Sequence, residues 1–264
     1  MSITKIQELF QSTATIHFND RGIVRDKILN LAKQLDTPNA LAVYLDSDNY
    51  VVRLFAVEAL GVINNEKSVE YLVSLLEKEQ IKEVQQSAIY SLRDITKFSA
   101  LEALLKIANN AEYSKLVRSL AIQSVAVLAL KIVINPLLAI LMEATATDNP
   151  SLVEDVIDAF EILDNDEQAV IKQLVKLLDS KNVPYYLHLY IIEYLGDRRY
   201  EQASNIILQF LDSEESDLRA AAAKALGKIG NSKFIPNLEA KLNDDDDMVQ
   251  RNVKEALQKL RISN

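Results

Sequence analysis

Tyrosine is the residue type best suited to recognition chemistry here, because half of the chain's ten tyrosines fall in one stretch, VPYYLHLYIIEYLGDRRYEQ. They are Tyr185, Tyr186, Tyr190, Tyr194 and Tyr200. A tyrosine side chain combines apolar area with a polar hydroxyl and is enriched at protein interfaces. The stretch therefore predicts either an aromatic site where a partner docks or bulky local packing. We expect Tyr194 in the core; for Tyr186 and Tyr190, nearer the exposed edge, both interpretations stand.

Catalytic and metal-binding patterns are missing from the sequence. Its two histidines, His17 and His188, lie far apart, and it has no cysteine. It contains no nucleophile elbow, glycine-rich phosphate loop or metal-spaced set of histidines and carboxylates. Four aspartates at 244–247 lack the glycine and bidentate glutamate of an EF-hand loop, and we interpret them as acids that offset the dipole of the next helix. We predict no catalytic residue, no metal site and no cofactor.

The helices that position these residues follow a repeating sequence pattern. One helix signature, clearest in DLRAAAAKALGKIG, recurs seven times at intervals of 31 to 35 residues. A period in this range is typical of a helical solenoid, in which each unit buries its apolar face against its neighbours. The first apolar position of each copy, called the opening residue here, is Val52, Val84, Val117, Leu152, Leu187, Leu218 and Val249.

Each repeat contains two amphipathic helices, with apolar residues at positions i, i+3, i+4, i+7 and i+8. The second, or B helix, carries the signature, and the A helix is a shorter apolar stretch before it. Seven such pairs fill residues 38–262, and residues 1–37 form an irregular N-terminal pair that caps the array. The sequence therefore predicts an all-α, right-handed α-solenoid that forms one domain, 1–264.

Small residues recur on the buried face of the B helices. They stand mostly four and seven positions after the opening residue, as Ala56 and Ala59 do in the first repeat and Ala222 and Ala225 in the sixth. Small side chains on this face let helices approach closely. We interpret the pattern as a packing device rather than a binding motif.

An aspartate-rich turn, Val/Leu-Arg, an alanine-rich helix and Ala-Leu-Gly occur together in 46–63 and 217–230. These units resemble HEAT repeats, and most closely the short bacterial subclass named after phycobilisome lyases. The resemblance covers roughly residues 38–260 and implies that B helices line a concave face. It also implies two kinds of function: protein-binding scaffolds and adaptors, or subunits and chaperone-like factors that act on phycobiliproteins and their bilins. The family's arginine after the opening residue is present at Arg53, Arg118 and Arg219, and is replaced by Gln85, Val153, His188 and Gln250.

A row six positions after each opening residue projects onto that concave face. It consists of Glu58, Tyr90, Gln123, Asp158, Glu193, Lys224 and Glu255, with Glu154 on the neighbouring row. The middle of this groove is acidic and aromatic, which suits a basic or amphipathic segment of another protein. A solvated helix face gives similar charges, so this alternative stays open. The predicted partner-binding residues are Tyr90, Glu154, Asp158, Tyr186, Tyr190 and Glu193.

The net charge of the chain argues against one class of partner, nucleic acids. The net charge is −9 and the pI is about 4.9, and no basic stripe is present, so we expect no nucleic-acid binding. We expect no secretion signal and no membrane insertion either, and hence a cytoplasmic protein. The sequence predicts a non-catalytic scaffold or adaptor that holds a protein in its concave groove. The alternative, which the resemblance implies, is a bilin lyase subunit or a chaperone-like factor for phycobiliproteins. If the protein is an enzyme, we expect a bilin lyase-type activity.

Overall fold

The structure is a computed structural model that describes residues 2–13, 15, 17, 20–35, 38–128, 131–147, 149–163, 167–180 and 183–262. Within these ranges the chain consists of helices and the turns between them, and no strand occurs. The chain divides into two compact units, Met1–Leu137 and Leu138–Asn264. The predicted all-α solenoid of helix pairs is confirmed.

The first unit holds the N-terminal pair and three repeats. Its helices are α1 (Ser2–Thr13), α2 (Arg21–Ala32), α3 (Asn39–Ala42), α4 (Tyr50–Ile63), α5 (Glu66–Leu76), α6 (Lys82–Asp94), α7 (Phe98–Asn109) and α8 (Lys115–Val127). A 3-10 turn, Val43–Asp46, extends α3. Another, Lys131–Val133, leads into α9 (Ile134–Ala146), within which the boundary between the units falls.

The second unit continues the same order of short and long helices. Its helices are α10 (Pro150–Ile162), α11 (Glu167–Leu178), α12 (Tyr185–Asp197), α13 (Ser204–Gln209), α14 (Ser216–Ile229), α15 (Ile235–Glu239) and α16 (Asp247–Ile262). The 3-10 turns Glu201–Ala203, Phe210–Asp212 and Ser232–Phe234 flank its short A helices. The seven predicted B helices are therefore α4, α6, α8, α10, α12, α14 and α16.

The hydrophobic core follows the repeat. All seven opening residues are buried, as are the residues four positions after them, from Ala56 in α4 to Val253 in α16. Removing the valine or leucine side chain of an opening residue from water contributes about 1.5–3 kcal/mol. Because each B helix supplies the same buried positions, one register of helix packing is repeated through each unit.

Three glycines show how closely the B helices pack. A Cβ at Gly61 would lie 2.8 Å from Ser91 Cβ, and one at Gly196 or Gly227 would lie 2.6 Å from the Cβ of Ala225 or Ala256. Each glycine stands nine positions after an opening residue, and each partner stands seven positions after the next one. The predicted packing role is thus confirmed for Ser91, Ala225 and Ala256, because they lie opposite glycines of the preceding B helix.

Candidate functional site

An aromatic–acidic patch lies on the B helices α10 and α12 of the second unit. We use this name for Glu154 and Asp158 of α10 together with Tyr186, Tyr190 and Glu193 of α12. Glu154 and Asp158 are exposed, and the three residues of α12 are partly exposed. The two helices pack against each other, so the patch spans one repeat boundary.

Tyr190 forms the centre of this patch. Partial burial raises the pKa of its phenol, and the nearby carboxylates of Glu154 and Glu193 raise that pKa further. The same two carboxylates that oppose a phenolate would attract a cation placed at this point. The structure therefore places two predicted residues, Glu154 and Glu193, near the ring of a third, Tyr190.

The charges of the patch are only partly neutralised by the protein itself. Glu193 Oε1 lies 3.3 Å from Lys224 Nζ on α14, and Asp197 pairs with Lys228 one turn further along. Glu154 and Asp158 have no ion-pair partner within the described part of the chain. The α10 side of the patch therefore presents uncompensated negative charge to solvent.

The tyrosines around Tyr190 have different roles. The hydroxyl of Tyr186 donates to the backbone carbonyl oxygen of Thr145 at 2.9 Å, which ties α12 to the end of α9. Tyr185 is half exposed and meets the Tyr186 ring edge-on, with centroids 6.0 Å apart. Tyr194 is 4% exposed, and its hydroxyl donates to the carbonyl oxygen of Phe160, so its predicted place in the core is confirmed.

Tyr90, the sixth predicted residue, belongs to the first unit, on α6. Its hydroxyl oxygen accepts a hydrogen bond from Gln86 Nε2 at 3.0 Å, and the guanidinium of Arg93 lies 4.9 Å from its ring centroid. It lines a groove of about 720 Å³ along α2, α4 and α6. The groove's charges are largely paired internally, since Arg25 Nε lies 2.6 Å from Glu58 Oε2 and Arg93 Nε 2.9 Å from Asp94 Oδ1.

The residue directly after the opening residue has the same structural role in most repeats, and this role was not predicted from the sequence. In five repeats its side chain donates to a backbone carbonyl at or near the turn from the A to the B helix. The pairs are Arg53 to Ser47 (2.7 Å), Gln85 to Glu79 (2.6 Å), Arg118 to Ala108 (2.9 Å), Arg219 to Ser213 (3.0 Å) and Gln250 to Asp244 (2.8 Å). Glutamine thus replaces arginine here without losing this contact, and the recurrence of side-chain donors was the available sequence signal.

Two arginines also form ion pairs with the next repeat. Arg53 contacts Glu79 through two hydrogen bonds of 2.7 and 3.0 Å. Arg219 contacts Asp244 at 3.0 and 2.8 Å and Asp245 at 2.7 Å. The hydrogen bond from Arg219 is the main cause that holds the pKa of Asp244 below its usual value. For Glu79, burial raises the pKa, but hydrogen bonds from Arg53 and the backbone outweigh it and lower the pKa overall.

The aspartate run at 244–247 therefore does more than offset a helix dipole. Asp244 accepts from Arg219, whereas Asp246 caps α16 by accepting from the backbone N–H groups of Met248 and Val249 at 2.8 and 3.1 Å. Asp247 is the first residue of that helix. Within the described residues no group of three or more histidines and carboxylates is arranged to hold a metal ion.

His188 occupies the arginine position of the fifth repeat. Its ring centroid lies 5.1 Å from that of Phe210, and its Nε2 is buried without a hydrogen-bond partner in the described structure. Burial lowers the pKa of this imidazole, and hydrogen bonds to the backbone of Leu177 and Ser180 oppose that shift only in part. His188 is therefore packed against Phe210, and burial disfavours its charged form.

The sequence matches the family model of HEAT repeats over residues 37–126 and 171–258, which together exceed half of the chain. The chain belongs to the HEAT-repeat family. The repeats within these two ranges are thus HEAT helix pairs, whereas the closer resemblance to phycobilisome-lyase repeats stays a prediction. No curated protein matches the chain.

Solved structures resemble this chain at low sequence identity. The karyopherin Kap121p, solved bound to the extreme C-terminus of the protein phosphatase Cdc14p, is 11% identical with a TM-score of 0.60, over 97% of this chain and 33% of its own. Human deoxyhypusine hydroxylase is 16% identical with a TM-score of 0.41, over 99% and 97% of the two chains. An engineered protein is 18% identical with a TM-score of 0.40, over 96% and 77%. The similarity to Kap121p, with a TM-score above 0.5, shows a shared fold and nothing beyond it.

HEAT repeats generally mediate protein interactions. No helix in the described ranges is both long and apolar enough to span a membrane.

Proposed function

We propose that this protein is a non-catalytic scaffold or adaptor that holds a protein partner on its B helices, with the aromatic–acidic patch as a principal contact. The observation that supports this most is the proximity of the carboxylates of Glu154 and Glu193 to Tyr190, on two neighbouring B helices. An aromatic ring with flanking acids offers apolar area and charge at one place. Such anchors dominate the energetics of protein interfaces.

The partner is a basic or amphipathic segment. A lysine or arginine placed over the Tyr190 ring gains about 0.5–1 kcal/mol at an exposed site. Glu154 and Asp158 supply uncompensated charge that accelerates association and makes it sensitive to salt. The net charge of −9 favours the same class of partner. The binding of the Cdc14p C-terminus by Kap121p, a protein of similar fold, supports a terminal or extended segment as the ligand.

Tyr90 provides a separate contact on the first unit. Its ring is exposed and carries Arg93 on one side, beside a groove whose charges are paired. This surface is less acidic than the aromatic–acidic patch, so it is assigned to apolar contacts of the same partner. Its contribution is separable, because the two surfaces belong to different units.

The test combines Tyr190→Ala with Glu154→Lys. Glu154 is chosen over Glu193 because Glu193 already pairs with Lys224. The probe is a fluorescently labelled amphipathic peptide with leucines on one face and lysines and arginines on the other, and the readout is anisotropy. Truncating an anchor costs about 2 kcal/mol or more, so we expect Kd to rise roughly thirtyfold. A peptide with glutamate in place of its basic residues serves as the ligand control.

Tyr194→Ala is the matched protein control. Because Tyr194 is buried, its truncation should lower the free energy of unfolding by roughly 3–5 kcal/mol. The double variant of the patch should instead keep the wild-type melting temperature. Unchanged affinity of the double variant for the basic peptide, measured at unchanged stability, would contradict the assignment of the patch.

A further inference from the structure

Three turns between A and B helices carry a carboxylate at one equivalent position. This position lies five residues before the opening residue and holds Glu79, Glu112 and Asp244. The carboxylates of Glu79 and Asp244 accept hydrogen bonds from an arginine on the preceding B helix, Arg53 and Arg219 respectively. For Glu112 the equivalent position on the preceding B helix is Gln85.

The two complete pairs define how this structure binds a guanidinium. In each pair the arginine donates to both oxygens of the carboxylate, and also to a backbone carbonyl of its own turn, Ser47 or Ser213. The carboxylate becomes buried, with a side-chain exposure of 3% for Glu79 and 5% for Asp244. Bidentate carboxylate together with a carbonyl is the geometry that suits a planar guanidinium fork.

The third position lacks its arginine. Gln85 is too short to reach the next turn, and its Nε2 donates to the Glu79 carbonyl oxygen at 2.6 Å instead. Glu112 remains exposed, and no ion pair or side-chain hydrogen bond to its carboxylate occurs among the described residues. The carboxylate half of a guanidinium site is therefore present without the cation that the other two pairs supply.

A pocket lies where the missing side chain would pass. Its volume is about 490 Å³, and its lining includes Gln85, Asn110, Glu112, Tyr113 and Glu77. The equivalent space beside Arg53 measures about 380 Å³. The pocket between these turns is thus larger where glutamine replaces arginine, and it opens to solvent beside the free carboxylate of Glu112.

The electrostatics of this pocket favour a cation. Burial raises the pKa of the Tyr113 phenol, and the carboxylates of Glu77 and Glu112 raise that pKa further. Both acids therefore lie close enough to Tyr113 to act on one point. A cation bound there would face two carboxylates and an aromatic ring.

We infer that this pocket binds an arginine side chain supplied by a partner protein, which takes the place of the missing arginine at position 85. Arginine is favoured over lysine because the two oxygens of a carboxylate suit the forked donors of a guanidinium. Glu112 offers such a carboxylate, as Glu79 does to Arg53. The site lies in the first unit and uses no residue of the aromatic–acidic patch. It therefore stands independently of the function proposed for that patch.

The experiment titrates the whole protein with N-acetyl-arginine amide and follows backbone amide chemical shifts. We expect saturable binding with Kd on the order of 1 mM, centred on Glu112 and Tyr113. N-acetyl-citrulline amide, which has the shape without the charge, should not bind, and N-acetyl-lysine amide should bind at least threefold more weakly. Absence of saturation, or equal binding of the lysine and arginine compounds, would overturn the inference.

Two variants make the assignment specific. Gln85→Arg supplies the side chain in cis and should weaken binding of the probe at least tenfold, as should Glu112→Gln. Glu102→Gln, an exposed carboxylate outside this pocket, is the matched control and should bind normally. Undiminished binding by Gln85→Arg or Glu112→Gln would refute the site. Because Glu112 is exposed, its neutral variant provides a test that does not depend on how Gln85→Arg affects folding.

Failure of this site and failure of the patch are distinguishable. The Tyr190→Ala, Glu154→Lys variant should bind N-acetyl-arginine amide as the wild type does. Loss of probe binding in that variant would contradict the assignment to residues 85 and 112.

Discussion

Replacing Gly227 by alanine tests whether the close approach of the B helices holds the repeats together. The added Cβ would lie 2.6 Å from the Cβ of Ala256 and 2.7 Å from its Cα, whereas ordinary contacts begin at 3.4 Å. The helices α14 and α16 would therefore have to separate by about 0.8 Å at this point. Because one of the clashing atoms is backbone, no side-chain rotation relieves the contact.

The magnitude follows from two opposing effects. Overpacking a well-packed contact costs about 1–3 kcal/mol, and a clash with backbone belongs at the upper end of that range. Replacing glycine by alanine in a helix gains about 1 kcal/mol. The net loss in the free energy of unfolding is then about 2 kcal/mol, which corresponds to a fall in Tm of roughly 4–8 °C for a chain of this size.

The assay is thermal and urea unfolding followed by circular dichroism, on a graded series of glycine variants. Gly22→Ala is the matched control, because nothing lies within 4 Å of its added Cβ, and it should be neutral or slightly stabilised. Gly61→Ala should fall between the two, since it meets mainly the side chain of Ser91. If Gly227→Ala is as stable as Gly22→Ala, the close approach of α14 and α16 does not contribute as argued.

Two further predictions concern ionisable groups. Arg219→Gln should cost about 1–3 kcal/mol at neutral pH, because it removes charge-assisted hydrogen bonds to Asp244. Arg219 holds the pKa of Asp244 below its ordinary 3.8. The stability from this pair is therefore present above this pH and is lost as the pH falls through the lowered pKa. In urea unfolding, the midpoint of the variant should decrease less on acidification than that of the wild type. Burial holds the pKa of His188 below its ordinary 6.5, so the unfolded chain binds more protons just below that pH and stability falls there. His188→Gln should remove this decrease in urea midpoints between about pH 7 and 5, and an unchanged decrease would place its origin elsewhere.

The fold was predictable because its determinants are local and repeated. Apolar spacing marks each amphipathic helix, and seven equivalent opening residues from Val52 to Val249 bring that face into one register. Each HEAT pair contacts mainly its neighbours, so a pattern within about 35 residues of sequence already contains most of the packing information. The burial of Tyr194 followed from its position in the same pattern.

The candidate sites were predictable only as candidates. Periodicity placed Glu154, Tyr190 and Glu193 on one face, but it carried no information on which charges are neutralised. The pairing of Glu193 with Lys224 and the hydrogen bond of Tyr186 to Thr145 depend on side-chain directions and on the separation of neighbouring helices. Residue type alone could not distinguish a solvent-facing tyrosine from one whose hydroxyl is hydrogen-bonded within the protein.

The sequence by itself determined the helix pairs, their number and the residues that they bury, because hydrophobic periodicity acts through each helix and its nearest neighbours. Tertiary structure alone decided which polar side chains meet across repeats. Arg53 reaches Glu79 at a sequence separation of 26 residues, whereas Gln85 donates to the Glu79 carbonyl of its own turn. Among the described residues Glu112 then has no ion-pair partner. That difference arises from side-chain length measured against the gap between packed turns, a distance that exists only once the helices are assembled.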